Sequence, residues 1–427
     1  MSPPLLTRLD QATLDASARK HEMFRTARLG GARAVLAHSD LSGLSFEGRD
    51  FSHADMTGAV LTRASLANGR FNHTLFFGAN LDESDLSNAS LVRADMRGVS
   101  LKRARLMKAN MTGADLREEK IAFLGRDDFA YTQKFRSANT SGADLSGANL
   151  SLAQLSRVVG TNSIFNDALL HGATLTHANM RGASFRGADL EGADLTASHF
   201  EGARFQDAIL MNVICNDTHL EEADLTGALT SAEEGVPLRE IALSLRERLS
   251  QHQTWIETKG QSGLRLDLSG CDLRGITVLR RARLTMAKAR GTLFYMADLG
   301  EAALQAVDMQ GADFRSAHLS GADMRGSSFQ GAIFNHANLQ NVVLEPLVLE
   351  GKRVLNADLT GASLRYVNLA GSNLRGVILA RADLAYADLE GCNLTDVDIT
   401  DAELTGVHLS SVQSEVLEAA QSARRSS

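Results

Sequence analysis

Along most of the chain a bulky apolar residue recurs at every fifth position. From Leu36 the series runs through Leu41, Phe46, Phe51 and Met56 to Leu116, then resumes one phase earlier from about Leu145 to Leu225. A third block opens at Leu268 and Leu273, slips by one residue near Thr277 and continues from Leu279 to Leu409. Two positions before most of these stands a small residue, as in Ala54-Asp55-Met56 and Ala114-Asp115-Leu116. This spacing excludes an amphipathic helix: at about 100° per residue, each step of five swings the stripe by about 140°. In an extended segment Ala54 and Met56 share one face and Asp55 takes the other. The next small residue, Ala59, comes three positions on, so alternation breaks once in each unit. A short extended piece followed by a bend, repeated, satisfies the pattern, with glycines such as Gly58, Gly113, Gly182, Gly187 and Gly192 at the bends.

Units such as Ala143-Asp144-Leu145-Ser146-Gly147, Ala188-Asp189-Leu190-Glu191-Gly192 and Ala312-Asp313-Phe314-Arg315-Ser316 resemble the pentapeptide-repeat family, whose consensus is Ala-Asp/Asn-Leu and two variable residues. The resemblance covers the greater part of the chain. It implies an all-β solenoid, a right-handed quadrilateral β-helix with four pentapeptides per coil, and Leu, Phe, Met and Ala inside.

The breaks divide the chain. Residues 117–137 abandon the pattern and read as a loop projecting from a corner. Residues 231–263 read as helical, with Pro237 in a first helical turn and Leu238, Ile241, Leu245, Leu249 and Trp255 at helix-like spacing. That segment has a twin: His252 and Trp255 followed by Gly263 and Arg265 match His21 and Phe24 followed by Gly31 and Arg33. A duplicated module follows, with these residues at a helix–solenoid junction, since an open coil end exposes apolar side chains and backbone groups. The predicted order is a helical cap at 1–30, a first solenoid at 31–230, a helical module at 231–262, a second solenoid at 263–411 and a C-terminal helix or tail at 412–427.

Residues twenty apart should then stack. His53 and His73 align, followed by Arg93; His199 and His219 align after Asn179; neither pair has an obvious third ligand, so no metal is expected. Tyr366 and Tyr386 align, with Pro346 one coil earlier. Leu75 and Phe77 take outward positions and join the tyrosines as a candidate partner surface. Arg274, Arg280, Arg281, Arg283, Lys288 and Arg290 lie in a stretch without acidic residues, Arg280, Arg281 and Arg283 being a candidate site for phosphate or an acidic protein. Acidic residues crowd the chain from Asp383 to Glu418.

Composition narrows the chemistry. The 427 residues carry a net charge of −7, which names no partner. Cys215, Cys271 and Cys392 all fall at interior positions and read as reduced filler, without metal. No apolar run is long enough to span a bilayer and no secretory signal opens the chain, so a cytoplasmic, bacterial protein is expected. No dinucleotide, phosphate-loop, metalloprotease or paired-cysteine motif occurs, and filled coils leave no catalytic cleft. The many Asp residues belong to the repeat and occupy equivalent environments, unlike catalytic carboxylates. The expectation is a non-enzymatic scaffold, without cofactor, that presents a rigid surface to a protein partner and that homo-oligomerisation remains compatible with. Direct nucleic-acid binding is disfavoured, since no basic stripe with stacking aromatics appears. The alternative is DNA mimicry at a type II topoisomerase, gyrase, as in acidic rods of the family; this chain departs from those in its two solenoids, helical modules and mixed charge.

Overall fold

A five-residue unit leaves room for one bridging residue per side, and the backbone pairs accordingly. Val35 bridges Asp55, Asp40 bridges Val60, Ser45 bridges Ser65 and Asp50 bridges Arg70, all parallel and each twenty residues on. In the computed structural model the sheet is therefore made almost wholly of isolated bridges, with longer strands only where the coil is entered, left or interrupted. The structure describes residues 6–124, 131–232, 236–237, 244–350, 353–411 and 413, with side chains left out at 120–124, 131–134 and 237. The expected C-terminal helix lies outside the described residues apart from its first turn.

Each unit closes on a tight turn. Ala59 N–H donates to Met56 O at 3.1 Å, and Gly58 takes φ 62°, the left-handed value a third turn residue needs. The residue before the central apolar one fixes that turn: Asp55 Oδ1 accepts from Thr57 N at 3.0 Å and Asn80 Oδ1 from Asp82 N at 3.0 Å. This local bond is the physical reason the repeat writes Asp or Asn there. Inside, large residues meet their counterparts one coil away. Phe165 stacks on Phe185 at 4.8 Å, and Phe314 lies between Phe294 and Phe334 at 4.9 and 4.6 Å. Where the small position is polar, its hydroxyl is satisfied: Thr74 Oγ1 donates to Phe51 O and Thr292 Oγ1 to Leu268 O, at 2.8 and 2.7 Å.

The chain divides into two units, Met1–Ser231 and Ala232–Ser427. In the first, β1 (Thr7–Arg8) precedes α1 (Gln11–Arg25) and pairs parallel with β2 (Ser39–Asp40). Asp10 caps α1 by accepting from Thr13 N at 2.8 Å. Leu14 and His21 of this helix are buried, Leu14 joining the coil interior. The expected loop at 117–137 is instead an antiparallel hairpin, β3 (Glu119–Leu124) with β4 (Tyr131–Arg136). Its return limb lies on the flank of the coil, Arg136 Nη1 donating to Gly78 O at 3.0 Å. The unit ends with β5 (Ile209–Leu210) paired to β6 (Leu229–Thr230).

The second unit opens with β7 (Val236–Pro237), parallel to β8 (Cys271–Asp272), and α2 (Leu245–Glu257). Pro237 is thus in a strand and not in a first helical turn. Ser244 and Glu247 form a capping box that starts α2 where the expected helix was already under way; Leu238 and Ile241 lie outside the described residues. Bridges then step by twenty-one residues, Asp267 to Lys288 and Asp272 to Leu293, which absorbs the slip near Thr277.

The run from Leu279 to Leu409 is interrupted. Ser328 bridges Asp358 and Val343 bridges Asn373, thirty residues on. Between them β9 (Leu347–Val348) and β10 (Val354–Leu355) form an antiparallel hairpin. It adds the length of two repeats, so the five-residue phase passes through it unbroken and Leu349 and Val354 pose as interior residues. They are 37% and 53% exposed.

Candidate interaction surface

The two helix–solenoid junctions use the same residues in the same way. Ala34 N–H donates to His21 Nδ1 at 3.1 Å, so Nε2 carries the proton and donates to Ser52 O at 3.0 Å. The ring stacks on Phe51 at 5.7 Å and Phe24 at 6.1 Å. Arg33 Nε donates to His53 O at 2.6 Å. In the second unit Leu266 N–H donates to His252 Nδ1 at 3.1 Å, and Arg265 Nε donates to Met286 O at 2.5 Å. Trp255 stacks on His252 at 5.7 Å with the Arg265 guanidinium 6.0 Å from its ring centroid. The twins differ at Nε2: that of His252 is buried facing the Leu284 and Thr285 backbone, without the well-formed hydrogen bond that His21 makes to Ser52. Burial holds both imidazoles below their usual pKa.

The outward aromatic positions are less open than expected. Leu75 and Phe77 are half-buried, with Arg97 over the Phe77 ring at 5.5 Å. Arg97 itself is held by Asp95 at 2.8 Å and Glu119 at 2.6 Å, so the hairpin base and its ion pairs cover the ring. Tyr366 and Tyr386 stack at 4.9 Å, both half-buried. The residue one coil before Tyr366 is His336, at 5.3 Å, and not Pro346. The β9–β10 hairpin displaces the count by ten, and Pro346 lies instead near Gly376.

The arginine stretch meets carboxylates once the coil is closed. Arg280 pairs with Asp298 and Glu301, Arg281 with Glu301, Arg283 with Glu257 and Arg290 with Asp308, at 2.6–3.4 Å. Arg274 Nη2 reaches Asp272 at 2.5 Å. A positive patch read from the linear sequence is therefore largely neutralised by residues one coil away or on α2.

Cys271 and Cys392 are buried, and burial pushes the Cys392 thiol up to about 11, which suits filler and not a nucleophile. Cys215, expected inside, is exposed. It stands in the last coil of the first unit, where Ile214 pairs backward to Asp194 and no bridge continues among the described residues. Sequence reading also missed the β9–β10 hairpin. Its Val348 is 67% exposed while Leu347 and Leu355 approach Gly326, whose added Cβ would lie 2.9 and 3.0 Å from theirs. Val348, Leu349 and Val354 thus form a group of exposed aliphatics on this hairpin.

The histidine ladders are real, at 4.9 Å for His53 and His73 and 4.6 Å for His199 and His219. The second pair does have a third donor: Glu201 Oε1 lies 3.1 Å from His199 Nδ1. Burial alone would raise the Glu201 pKa, but its own backbone N–H, His199 and Arg181 outweigh that and hold it at about 2. Among the described residues no helix is long and apolar enough to cross a membrane.

A chain wound from bridged five-residue units over a filled interior is a β-solenoid. This one belongs to the pentapeptide-repeat family: the family model "Pentapeptide repeats (8 copies)" matches residues 32–68, 79–117, 134–159, 153–192, 163–202, 188–227, 308–345, 353–379 and 379–410. No curated protein matches the chain. Among solved structures it is similar to HetL, a pentapeptide-repeat protein involved in heterocyst differentiation regulation from the cyanobacterium Nostoc sp. strain PCC 7120, at 23% identity over 73% of this chain and 91% of that one, TM-score 0.17. It is also similar to QnrB1, a plasmid-mediated fluoroquinolone resistance protein (20% identity, 55% and 95% covered, TM-score 0.23). A third is Rfr23 from the cyanobacterium Cyanothece 51142 (21% identity, 38% and 96% covered, TM-score 0.21). Family membership rests on the repeat model and not on these superpositions.

Proposed function

We propose that this protein is a non-catalytic scaffold: two right-handed, four-sided solenoids, each begun by a helix that caps its first coil, holding surface side chains in fixed ladders for a protein partner. The observation that carries the reading is the filled interior. From Leu36 to Leu116, from Leu145 to Phe205, and from Leu279 to Ile399 outside the β9–β10 hairpin, the large central side chains are fully or almost fully buried against the next coil, so recognition must use the outside. The β9–β10 hairpin is the strongest contact candidate. It emerges half a coil away from the Tyr366–Tyr386 stack, and it places Val348 and Val354 in solvent.

The test is affinity capture from the native cells with full-length protein, beside Val348→Asp/Val354→Asp and Tyr366→Ala/Tyr386→Ala variants whose circular dichroism matches the parent. A stoichiometric protein lost with the hairpin variant supports the reading. Capture that yields no stoichiometric partner, or one indifferent to both variants, refutes it. DNA mimicry at a type II topoisomerase gains one point from the neutralised arginines. A supercoiling assay unaffected by excess protein removes it.

A further inference from the structure

Two copies of one short motif stand on successive coils of the first unit: His199-Phe200-Glu201 and His219-Leu220-Glu221. His199 and His219 are bridged backbone neighbours, which fixes their imidazoles face to face at 4.6 Å and 5°. In each motif the glutamate turns back to its own histidine, Glu201 Oε1 at 3.1 Å from His199 Nδ1 and Glu221 Oε1 at 3.5 Å from His219 Nδ1. One nitrogen of each ring and a Glu201 oxygen lie within 4.8 Å of one another. Glu201 also carries an oxygen, Oε2, that is buried and has no hydrogen-bond partner. Oε1 is matched by Arg181 and His199, which leaves Oε2 as the acceptor without a partner, and buried acceptors are normally matched.

We propose that His199, His219 and Glu201 form a surface site for a divalent transition cation of the zinc class, with Glu221 or water completing the shell. Two imidazoles and a carboxylate suit zinc, nickel or copper and not calcium or magnesium, which take oxygen ligands. Coordination requires the two rings to turn out of their parallel stack, which part-exposed side chains permit while the β-bridge beneath them stays in place. A resident competitor occupies the cluster as it stands. Arg181, one coil below, donates to Glu201 Oε1 at 2.8 Å and lies 2.9 Å from His199 Nδ1, so its guanidinium sits where the ion would. Metal binding requires Arg181 to swing into solvent. The His53–His73 ladder is a built-in control, since it has the same ring stack at 4.9 Å but belongs to no group of three metal-ligating side chains among the described residues.

Zinc titration of the full chain by isothermal calorimetry, followed by thermal melts with and without zinc, tests the site. Saturable binding of one zinc per chain is expected, with a raised melting point. His199→Ala, His219→Ala and Glu201→Gln should each lower affinity roughly tenfold or more. Arg181→Gln should raise it, and His53→Ala/His73→Ala should leave it unchanged. The ligand variants remove part-exposed side chains, so their zinc-free melts should match the parent. The proposal is overturned by absence of saturable binding, by full-strength binding in His199→Ala/His219→Ala, or by binding lost instead on His408→Ala, which would place the ion at the Asp388–Glu390–His408 cluster.

Discussion

Replacing His21 by alanine should detach α1 from the first coil of its solenoid. The native ring accepts from Ala34 N–H and donates to Ser52 O, and it is fully buried. Alanine leaves both backbone groups without a partner, at about 1–3 kcal/mol each, and removes a ring that fills space against Phe51. Partial relaxation or entry of water offsets part of this, so a loss of about 3–5 kcal/mol is expected. Because each coil of a solenoid touches chiefly its neighbours, the loss should appear as local opening. Hydrogen exchange at Ala34 should speed up far more than exchange in the Phe165–Phe185 coils. His252→Ala should be milder, since the Leu266 N–H loses a well-formed partner there while the Leu284 and Thr285 backbone loses only a weak one. His21→Gln, able to donate and accept, should recover part of the protection. The junction also predicts a pH dependence. Folding favours the neutral imidazole at both sites, so this stabilisation is full above the unfolded pKa of about 6.5 and is lost as pH falls through the lowered folded value. The protection factor at Ala34, corrected for the intrinsic pH dependence of amide exchange, should therefore fall on acidification in the parent and lose that response in His21→Ala. Unchanged Ala34 exchange in His21→Ala, or equal effects of the two histidine variants, would refute the reasoning.

Phe314→Ala removes the middle ring of the Phe294–Phe314–Phe334 stack and should destabilise the second unit by about 3–5 kcal/mol in denaturant unfolding, with little change in the first. Arg281→Ala should leave the unfolding midpoint unchanged within error, because its partner Glu301 retains Arg280 and both side chains face water. Excising residues 346–355 should preserve the coil. The thirty-residue step from Ser328 to Asp358 shortens to the ordinary twenty, so circular dichroism and cooperative unfolding should survive. Collapse of the second unit would show that the hairpin is structural.

The periodicity made the coil legible because one packing rule, a large residue flanked by a small one, is enforced at every turn. Leu36, Phe185 and Leu389 obey it and are buried alike. The reason for Asp or Asn at the bridging position was not visible, since the Asp55–Thr57 bond involves a backbone N–H that no composition reports. The junction histidines could be singled out by duplication, yet their hydrogen bonds depend on a helix–coil contact across thirteen and fourteen residues. The third donor beside His199 was overlooked for a geometric reason. Residues twenty apart share a single column, whereas Glu201 stands two positions along the chain and folds back. Likewise the arginines near 280 find carboxylates on the coil above, so a stretch that is basic in one dimension is nearly neutral on the surface.

The two hairpins show why one interruption could be read and the other could not. Bridges across the first connect residues thirty-nine apart, as Ser100 to Asn139, an excess of nineteen that shifts the five-residue phase by one. Bridges across the second connect residues thirty apart, as Ser328 to Asp358, an excess of ten that leaves the phase intact. What the solenoid conserves is closure: after any detour the chain must re-enter at the same corner, with Ala138 following Leu116 and Ala357 following Leu344 in the interior. Backbone geometry accepts any length that achieves this, as it also accepts the one-residue slip that carries Asp267 to Lys288. The pattern thus constrains the interior completely and the corners hardly at all. A protein of this build acquires individuality by adding to corners, as the β9–β10 hairpin does with exposed Val348, Leu349 and Val354.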